Sequence, residues 1–154
     1  MRLGIRYRVD ELVPHRGTMC LLDAIDDYGT DWLRASVLTR RSSAFAQDEG
    51  IPAWVGIEFM AQAAAAFAGI ERAQRGLSPA IGLLIGSRYY RAVQTFIPFE
   101  TRLDVLATLA MHDAEDFAAY DCRVSAAGNV LAQCTLKAYR PRDLRPLLTE
   151  AARD

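Results

Sequence analysis

The sequence is poor in the two residue types that most often bind metals, because it has only 2 histidines and 3 cysteines. Cys20, Cys122 and Cys134 are odd in number and scattered within apolar segments, which argues against a disulfide framework or a cysteine-rich metal site. Two histidines cannot form a histidine-rich metal site. We therefore expect a protein without a metal or other cofactor, working in a reducing, cytoplasmic setting.

Several motifs that carry well-known chemistry are also missing. There is no GxGxxG, Walker A, CxxC or HExxH motif, and "IGSRYY" lacks the second glycine of a GxSxG elbow. These absences argue against nucleotide, metal and serine-hydrolase chemistry. Lys137 is the only lysine among 18 basic residues and the net charge is -1, so no nucleic-acid partner is expected.

An export signal is not expected, because "MRLGIRYRVDELVPHRG" has neither an apolar segment nor a small-residue cleavage site. The Ala-rich stretch 50–69 is the only candidate for a membrane segment. It carries Glu58 and Gln62, and its run of four alanines gives little transfer energy. We therefore expect a helix wrapped by protein and no membrane span.

Turn signals divide the chain into strands around one long helix. Residues 20–40 split at "YGTD" into two runs that are typical of a β-hairpin. Pro52 at a first-turn position and Gly76 after Arg75 predict a helix of about 22 residues. Four strands are expected after it, in "IGLLIGSRYYRAV", "RLDVLATLAM", "FAAYDCRVS" and "NVLAQCTLKAY".

Two of these strands alternate cleanly between apolar and other residues. One face carries Leu103, Val105, Ala107, Leu109 and Met111, and the other strand's face carries Val130, Ala132, Cys134, Leu136 and Ala138. Turn signals at 112–116 and 127–129 connect the last three strands as antiparallel hairpins. The predicted class is α+β, a hot-dog fold in which a curved antiparallel sheet of about six strands wraps one long central α-helix. We expect one domain, 1–154, with a core of about 12–140 and a tail at 141–154.

One carboxylate interrupts the apolar helix and has an amide one turn later. Glu58 and Gln62 are four residues apart and so lie on one helix face. An acid there could donate a proton to a leaving hydroxyl if a base, most often histidine, lies nearby. Alternatively, Glu58 pairs with an arginine and braces a dimer or the sheet. His112 is expected in a solvated acidic turn, whereas His15, before an apolar strand, either points into a cavity or is hydrogen-bonded in its loop.

Two segments resemble motifs of one enzyme family. "VPHRGTMCLLDAI" is similar to the PHR-containing opening, and "GIEFMAQAAAAFAG" to the E-x-M-A-Q central helix, of hot-dog 3-hydroxyacyl-acyl-carrier-protein dehydratases. "PAWVGIEFMAQ" resembles the helix start of the divergent, ApeP-like dehydratase subunits of aryl-polyene and related polyketide-type lipid pathways. The helix also carries a stripe of small residues, which serves either core packing or the approach of an acyl chain: Gly56, Ala61, Ala65 and Gly69.

The resemblance implies that Glu58 is the acid and that Gln62 supports it at the substrate. The family's base is a histidine in the loop before the helix, contributed across a dimer interface, but the matching segment here, "SSAFAQDEGIPAWVG", has none. In one hypothesis, His15 removes the 2-proton of a 3-hydroxyacyl thioester while Glu58 protonates the departing hydroxyl, which gives a trans-2-enoyl thioester. The substrate carbonyl would then bind the N–H groups at the helix N-terminus, those of Ala53, Trp54 and Val55.

The missing loop histidine also supports a second hypothesis, a non-catalytic dehydratase-like subunit that completes a hot-dog heterodimer. Thioester hydrolysis is a weaker third. The expected partners are an acyl carrier protein and a second hot-dog subunit, in a homodimer or a heterodimer. Candidate contacts with the acidic carrier protein are Arg88, Arg91, Arg140, Arg142 and Arg145. The distance from His15 to Glu58 tests the first hypothesis, because an acid and a base must both reach one substrate.

Overall fold

The computed structural model describes residues 6–141, in which one long helix lies on a six-stranded sheet. A one-turn helix, α1 (Val9–Leu12), and a 3-10 turn (Gly17–Met19) come first. The long helix, α2 (Gly56–Gln74), continues a 3-10 turn (Ala53–Val55). The strands are β1 (Ala24–Tyr28), β2 (Trp32–Leu38), β3 (Ile51–Pro52), β4 (Leu83–Ala92), β5 (Phe96–Ile97), β6 (Arg102–His112), β7 (Phe117–Ala126) and β8 (Asn129–Tyr139). Apart from residue 141, the predicted tail lies outside the described residues.

The main sheet is antiparallel throughout, in the order β1-β2-β6-β7-β8-β4, and β3 pairs with β5 in a separate two-residue ladder. Helix α2 packs against β2, β6, β7 and β8. Met60 and Ala63 of the helix and Leu33, Val105 and Leu136 of the sheet are buried in this contact. Burial of these apolar side chains is the main source of stability. The arrangement is the hot-dog fold, so the predicted fold class is confirmed.

Both ends of α2 follow from local residue types. Pro52 lies just before the first turn, where the N–H that proline lacks would have no partner within the helix. At the other end, Gly76 has a φ of +68°, and the N–H groups of Gly76 and Leu77 close the last turn as a Schellman motif. The helical run Ala53–Gln74 has 22 residues, as predicted.

The same run is long and apolar enough to cross a membrane, judged by length and composition alone. In the folded chain, 61% of its most apolar window is buried. This burial is what the sequence predicts for a helix that carries Glu58 and Gln62.

The predicted hairpins are present. Strands β1 and β2 pair across the turn 29–31. Between β7 and β8, Ala127 and Gly128 have φ values of 49° and 81°, as a type I′ turn requires. The turn between β6 and β7 is closed by the Asp113 side chain, which accepts hydrogen bonds from the N–H groups of Glu115 (2.8 Å) and Phe117 (3.1 Å).

The predicted alternation is wrong at the strand ends. In β6, Ala107 is fully buried but Met111 is 50% exposed, and Val130 at the start of β8 is 37% exposed. The pairing register shifts between Leu109 and Met111 and again opposite Val130. Such β-bulges insert an extra residue and so turn the following side chain to the other face. His112, predicted in a turn, is the exposed last residue of β6.

Strand β4 is an edge strand with an apolar surface. Leu83, Leu84, Ile85 and Tyr89 are 38%, 47%, 53% and 78% exposed. We call these four residues the β4 edge. A long apolar edge with unpaired backbone groups is a ready surface for association.

Candidate active site

Glu58 lies in the first turn of α2, and Gln62 holds it there from one turn later. Gln62 is completely buried, whereas the Glu58 side chain is 33% exposed. Gln62 Nε2 donates to Glu58 Oε1 over 2.9 Å and to the Met19 carbonyl over 2.7 Å. Gln62 Oε1 accepts a 2.8 Å hydrogen bond from the Leu21 N–H. All the polar groups of the amide are therefore engaged, and Gln62 fixes Glu58 to the chain that follows His15. Direct contact between Gln62 and a substrate stays a prediction.

His15 reaches the same place from the loop after α1. Its Nε2 lies 3.6 Å from Glu58 Oε1, which is too long for a hydrogen bond but short enough for both groups to contact one substrate. The loop is held by Arg16, whose guanidinium donates to the carbonyls of Val13 (2.7 Å) and His15 (2.8 Å). His15 Nδ1 is buried and has no hydrogen-bond partner among the described residues. A carboxyl group and an imidazole of the same chain thus lie side by side, as the first hypothesis requires.

A cavity of about 590 Å³ opens at this pair and continues along α2. Its volume is within the range of small-molecule sites. An apolar channel that begins at an acid and a base suits a long apolar molecule with its reactive groups at one end. The lining includes Ala61, Ala65 and Ala68 of the helix, Leu109, Tyr120 and Leu136 of the sheet, and the polar residues His112, Asp116 and Arg140.

The stripe of small residues has two uses. Ala61 and Ala65 line the cavity, where short side chains leave room for a ligand. Gly56 and Gly69 permit close packing, because a Cβ at Gly56 would collide with the Tyr90 hydroxyl and one at Gly69 with the Leu12 carbonyl. The core-packing alternative therefore holds at Gly56 and Gly69, while the approach of an acyl chain at Ala61 and Ala65 stays a prediction.

The turn before α2 stands apart from the cavity. The Ala53 N–H donates to the Thr95 carbonyl over 2.9 Å, and the Ala53 carbonyl accepts a hydrogen bond from the Tyr90 hydroxyl. The Ala53 N–H is therefore already hydrogen-bonded and is not available to a substrate carbonyl. Trp54 is 58% exposed and the Val55 side chain is fully buried; a role for their N–H groups in binding a carbonyl stays a prediction.

The buried thiols take no part in this site. Burial raises the pKa of both Cys122 and Cys134, in the case of Cys134 to about 11. Cys134 Sγ contacts Met60 Sδ at 3.8 Å on the core side of α2. Both thiols thus stay protonated near neutral pH, when they are poor nucleophiles.

Tyr120 is the cavity residue that sequence reasoning missed. It is only 5% exposed and lies on the same face of β7 as Cys122 and Val124, which are also buried. The alternation in "FAAYDCRVS" was a signal for this face, but nothing in it showed that the face borders a cavity. His112 also lines this cavity.

Comparison with known proteins identifies the family. The ApeP-like family model, described as ApeP dehydratase, matches residues 7–149. The chain belongs to the ApeP-like dehydratase family. Among solved structures, the ApeI:P dehydratase heterocomplex from Xenorhabdus doucetiae is similar to this ApeP-like chain with a TM-score of 0.85 and 27% sequence identity, over 94% of this chain and 98% of that one.

More distant structures share the fold alone with this ApeP-like chain. AziG from S. sahachiroi has a TM-score of 0.60 and 15% identity, over 81% of this chain and 94% of that one. A hypothetical thioesterase with coenzyme A from Streptococcus pneumoniae has a TM-score of 0.57 and 8% identity, over 76% and 84%. A sequence search of curated proteins finds no match.

Proposed function

We propose that this ApeP-like protein dehydrates 3-hydroxyacyl thioesters, carried by an acyl carrier protein in the cytoplasm, to trans-2-enoyl thioesters. His15 is the base and Glu58 the acid. The observation that carries the proposal is the 3.6 Å separation of His15 Nε2 and Glu58 Oε1 at the start of an apolar cavity. The loop before α2 has no histidine, but His15 of the same chain supplies the base instead.

The elimination needs one proton removed and one supplied. His15 Nε2 takes the proton from C2, the C2 electrons form the C2=C3 double bond, and the C3–O bond breaks as Glu58 protonates the leaving hydroxyl to form water. The site is left with a protonated His15 and an ionised Glu58. Return of the proton across the short gap, directly or through the released water, restores the starting state. Gln62 keeps the Glu58 carboxyl aimed at the hydroxyl.

Two arginines lie on the side where the thioester would enter. Arg88 and Arg91 are exposed and flank Tyr90, whose hydroxyl binds the Ala53 carbonyl at the start of α2. An acidic carrier protein would be attracted to this end of the helix. Arg140 lines the cavity, and the two other predicted contacts, Arg142 and Arg145, lie outside the described residues.

We infer that a second hot-dog subunit covers the β4 edge. This apolar strand is largely exposed, and Leu83 and Leu84 belong to both the edge and the cavity wall. A partner there would close one side of the cavity. The similar ApeI:P structure is a heterocomplex of dehydratase subunits, which favours a heterodimer.

The two variants that test the chemistry are His15→Ala and Glu58→Gln. Each should lower turnover of a 3-hydroxyacyl carrier-protein substrate by about 100-fold or more, since each removes a proton-transfer group. Turnover is measured as loss of water by mass spectrometry, with the protein purified alone and with its co-purifying partner. Glu115→Gln, in an exposed turn, is the matched control and should keep wild-type turnover.

A second candidate is the non-catalytic subunit of a heterodimer. It is favoured by the missing loop histidine and by the heterocomplex structure. It predicts that both variants keep wild-type turnover in the complex, while loss of the acid in the partner abolishes it. Such a result would replace the catalytic proposal.

A further inference from the structure

Tyr120 lies inside the cavity, well beyond the catalytic pair. Its ring meets the Phe67 ring edge-on, with centroids 6.1 Å apart and an interplanar angle of 74°. Phe67 follows Glu58 by nine residues, which corresponds to about 13 Å along the helix. A substrate whose 3-hydroxyl contacts Glu58 would therefore pass Tyr120 only with a distant part of its acyl chain.

The Tyr120 hydroxyl has no hydrogen-bond partner among the described residues, although its side chain is only 5% exposed. Buried tyrosine hydroxyls usually find a partner, because an unpaired one is costly. Among the described residues, His15 Nδ1 is the one fully enclosed side-chain N or O atom without a hydrogen-bond partner. The Tyr120 hydroxyl therefore keeps access to open space, and the space beside it is the cavity.

The surroundings make this hydroxyl a neutral donor in an apolar channel. Burial raises the pKa of Tyr120, and the positive charge of Arg140 acts in the opposite direction. Leu109 and Leu136 pair with Tyr120 on the neighbouring strands and line the same wall. A plain hydrocarbon chain would cover the hydroxyl without pairing it, whereas an oxygen at this depth would accept its hydrogen bond.

We propose that Tyr120 is a specificity residue that binds an oxygen at the far end of the acyl chain. An extended chain advances about 1.2 Å per bond, so the oxygen lies roughly ten to twelve bonds beyond C3. The substrate class is then a 3-hydroxyacyl thioester with a distal hydroxyl or similar oxygen acceptor. This inference rests on the proposed dehydration for its substrate, but the cavity and Tyr120 can be tested without catalysis.

The test compares matched substrates with and without the distal oxygen. Wild type and Tyr120→Phe are assayed with the carrier-protein thioesters of 3-hydroxydodecanoate and 3,12-dihydroxydodecanoate. Wild type should prefer the dihydroxy substrate in kcat/KM by about three- to tenfold, the value of one added hydrogen bond. Tyr120→Phe should lose that preference, while Tyr7→Phe, which removes a phenol hydroxyl outside the cavity, should keep it. Equal use of both substrates by wild type, or an unchanged preference in Tyr120→Phe, overturns the proposal.

Binding separates failure of this inference from failure of the proposed function. The thioester of 3-hydroxybutyrate is too short to reach Tyr120, so its turnover by wild type reports dehydration alone. Titration calorimetry with dodecanoate and 12-hydroxydodecanoate reports the distal contact alone. The same three- to tenfold preference in Kd, lost in Tyr120→Phe, upholds the inference even in a protein without turnover. Equal binding of the two acids by wild type overturns it.

Discussion

The two faces of α2 use the same residue type for opposite purposes. On the core face, Ala63 and Ala66 are completely buried and bring the helix close to the sheet. On the other face, Ala61 and Ala65 border open space that begins at Glu58. On the core face, the short alanine side chain permits close contact with the sheet. On the cavity face, it leaves open space beside the helix. The exposed fraction separates the two groups, because Ala61 and Ala65 are only partly buried.

The largest expected effect is on the core face. Met60→Ala should lower the free energy of unfolding by about 2–5 kcal/mol, because the fully buried side chain leaves a cavity. Urea denaturation measures it. Met111→Ala is the matched control, since Met111 is 50% exposed, and should change stability by less than about 0.5 kcal/mol. Equal losses in the two variants would show that burial at the core face of α2 contributes no more stability than an exposed methionine.

Neighbouring alanines give a direct comparison of the faces. Ala66→Leu should cost about 1–3 kcal/mol of stability, because it overpacks the core. Ala65→Leu should leave stability nearly unchanged but narrow the cavity, so kcat/KM for a long-chain 3-hydroxyacyl thioester should fall more than tenfold while the 3-hydroxybutyryl thioester is little affected. Thermal denaturation and the two turnover assays measure these effects. A loss of stability in Ala65→Leu as large as in Ala66→Leu would show that position 65 also belongs to the core.

Gln62 lies where the two faces meet. Gln62→Ala should lower the free energy of unfolding by about 1–3 kcal/mol, because it leaves the Leu21 N–H and the Met19 carbonyl without their partner. It should also lower turnover, since Glu58 loses the amide that positions it. A stable variant with full turnover would show that the proposed acid and base do not depend on the hydrogen bonds of Gln62. Denaturation and the dehydration assay on the same sample measure both effects.

The smallest effect concerns alkaline pH. The folded protein keeps Cys134 protonated up to a pKa of about 11, above the ordinary thiol value of 9.0. The contribution of this raised pKa to stability is fully present below about pH 9 and is lost as the pH rises towards 11. Cys134→Ala should therefore show a shallower decline in unfolding free energy between these values than wild type. Identical slopes in urea titrations at several pH values would contradict the assignment.

The sequence predicted local features better than distant contacts. Pro52 and Gly76 mark the ends of the long helix because each acts on its own backbone, and the spacing of Glu58 and Gln62 directly predicts one helix face. The bulges that turn Met111 and Val130 outward depend on pairing between strands, so alternation within one strand could not show them. The approach of His15 to Glu58 spans many residues and is set by Gln62, whose bonds to the Met19–Leu21 segment have no sequence signature. Tyr120 was missed for a similar reason, because the cavity forms between the helix and the sheet and the sequence of neither element indicates it.

The hydrogen bond from Leu21 to Gln62 also provides a spectroscopic reporter. This N–H is held by a fully buried side chain that also holds Glu58, the proposed acid. Its exchange with deuterated solvent requires at least local opening of the contact between the His15 loop and α2. The exchange rate of one backbone amide would therefore show how often the segment after the His15 loop separates from α2 in the resting protein, without any substrate.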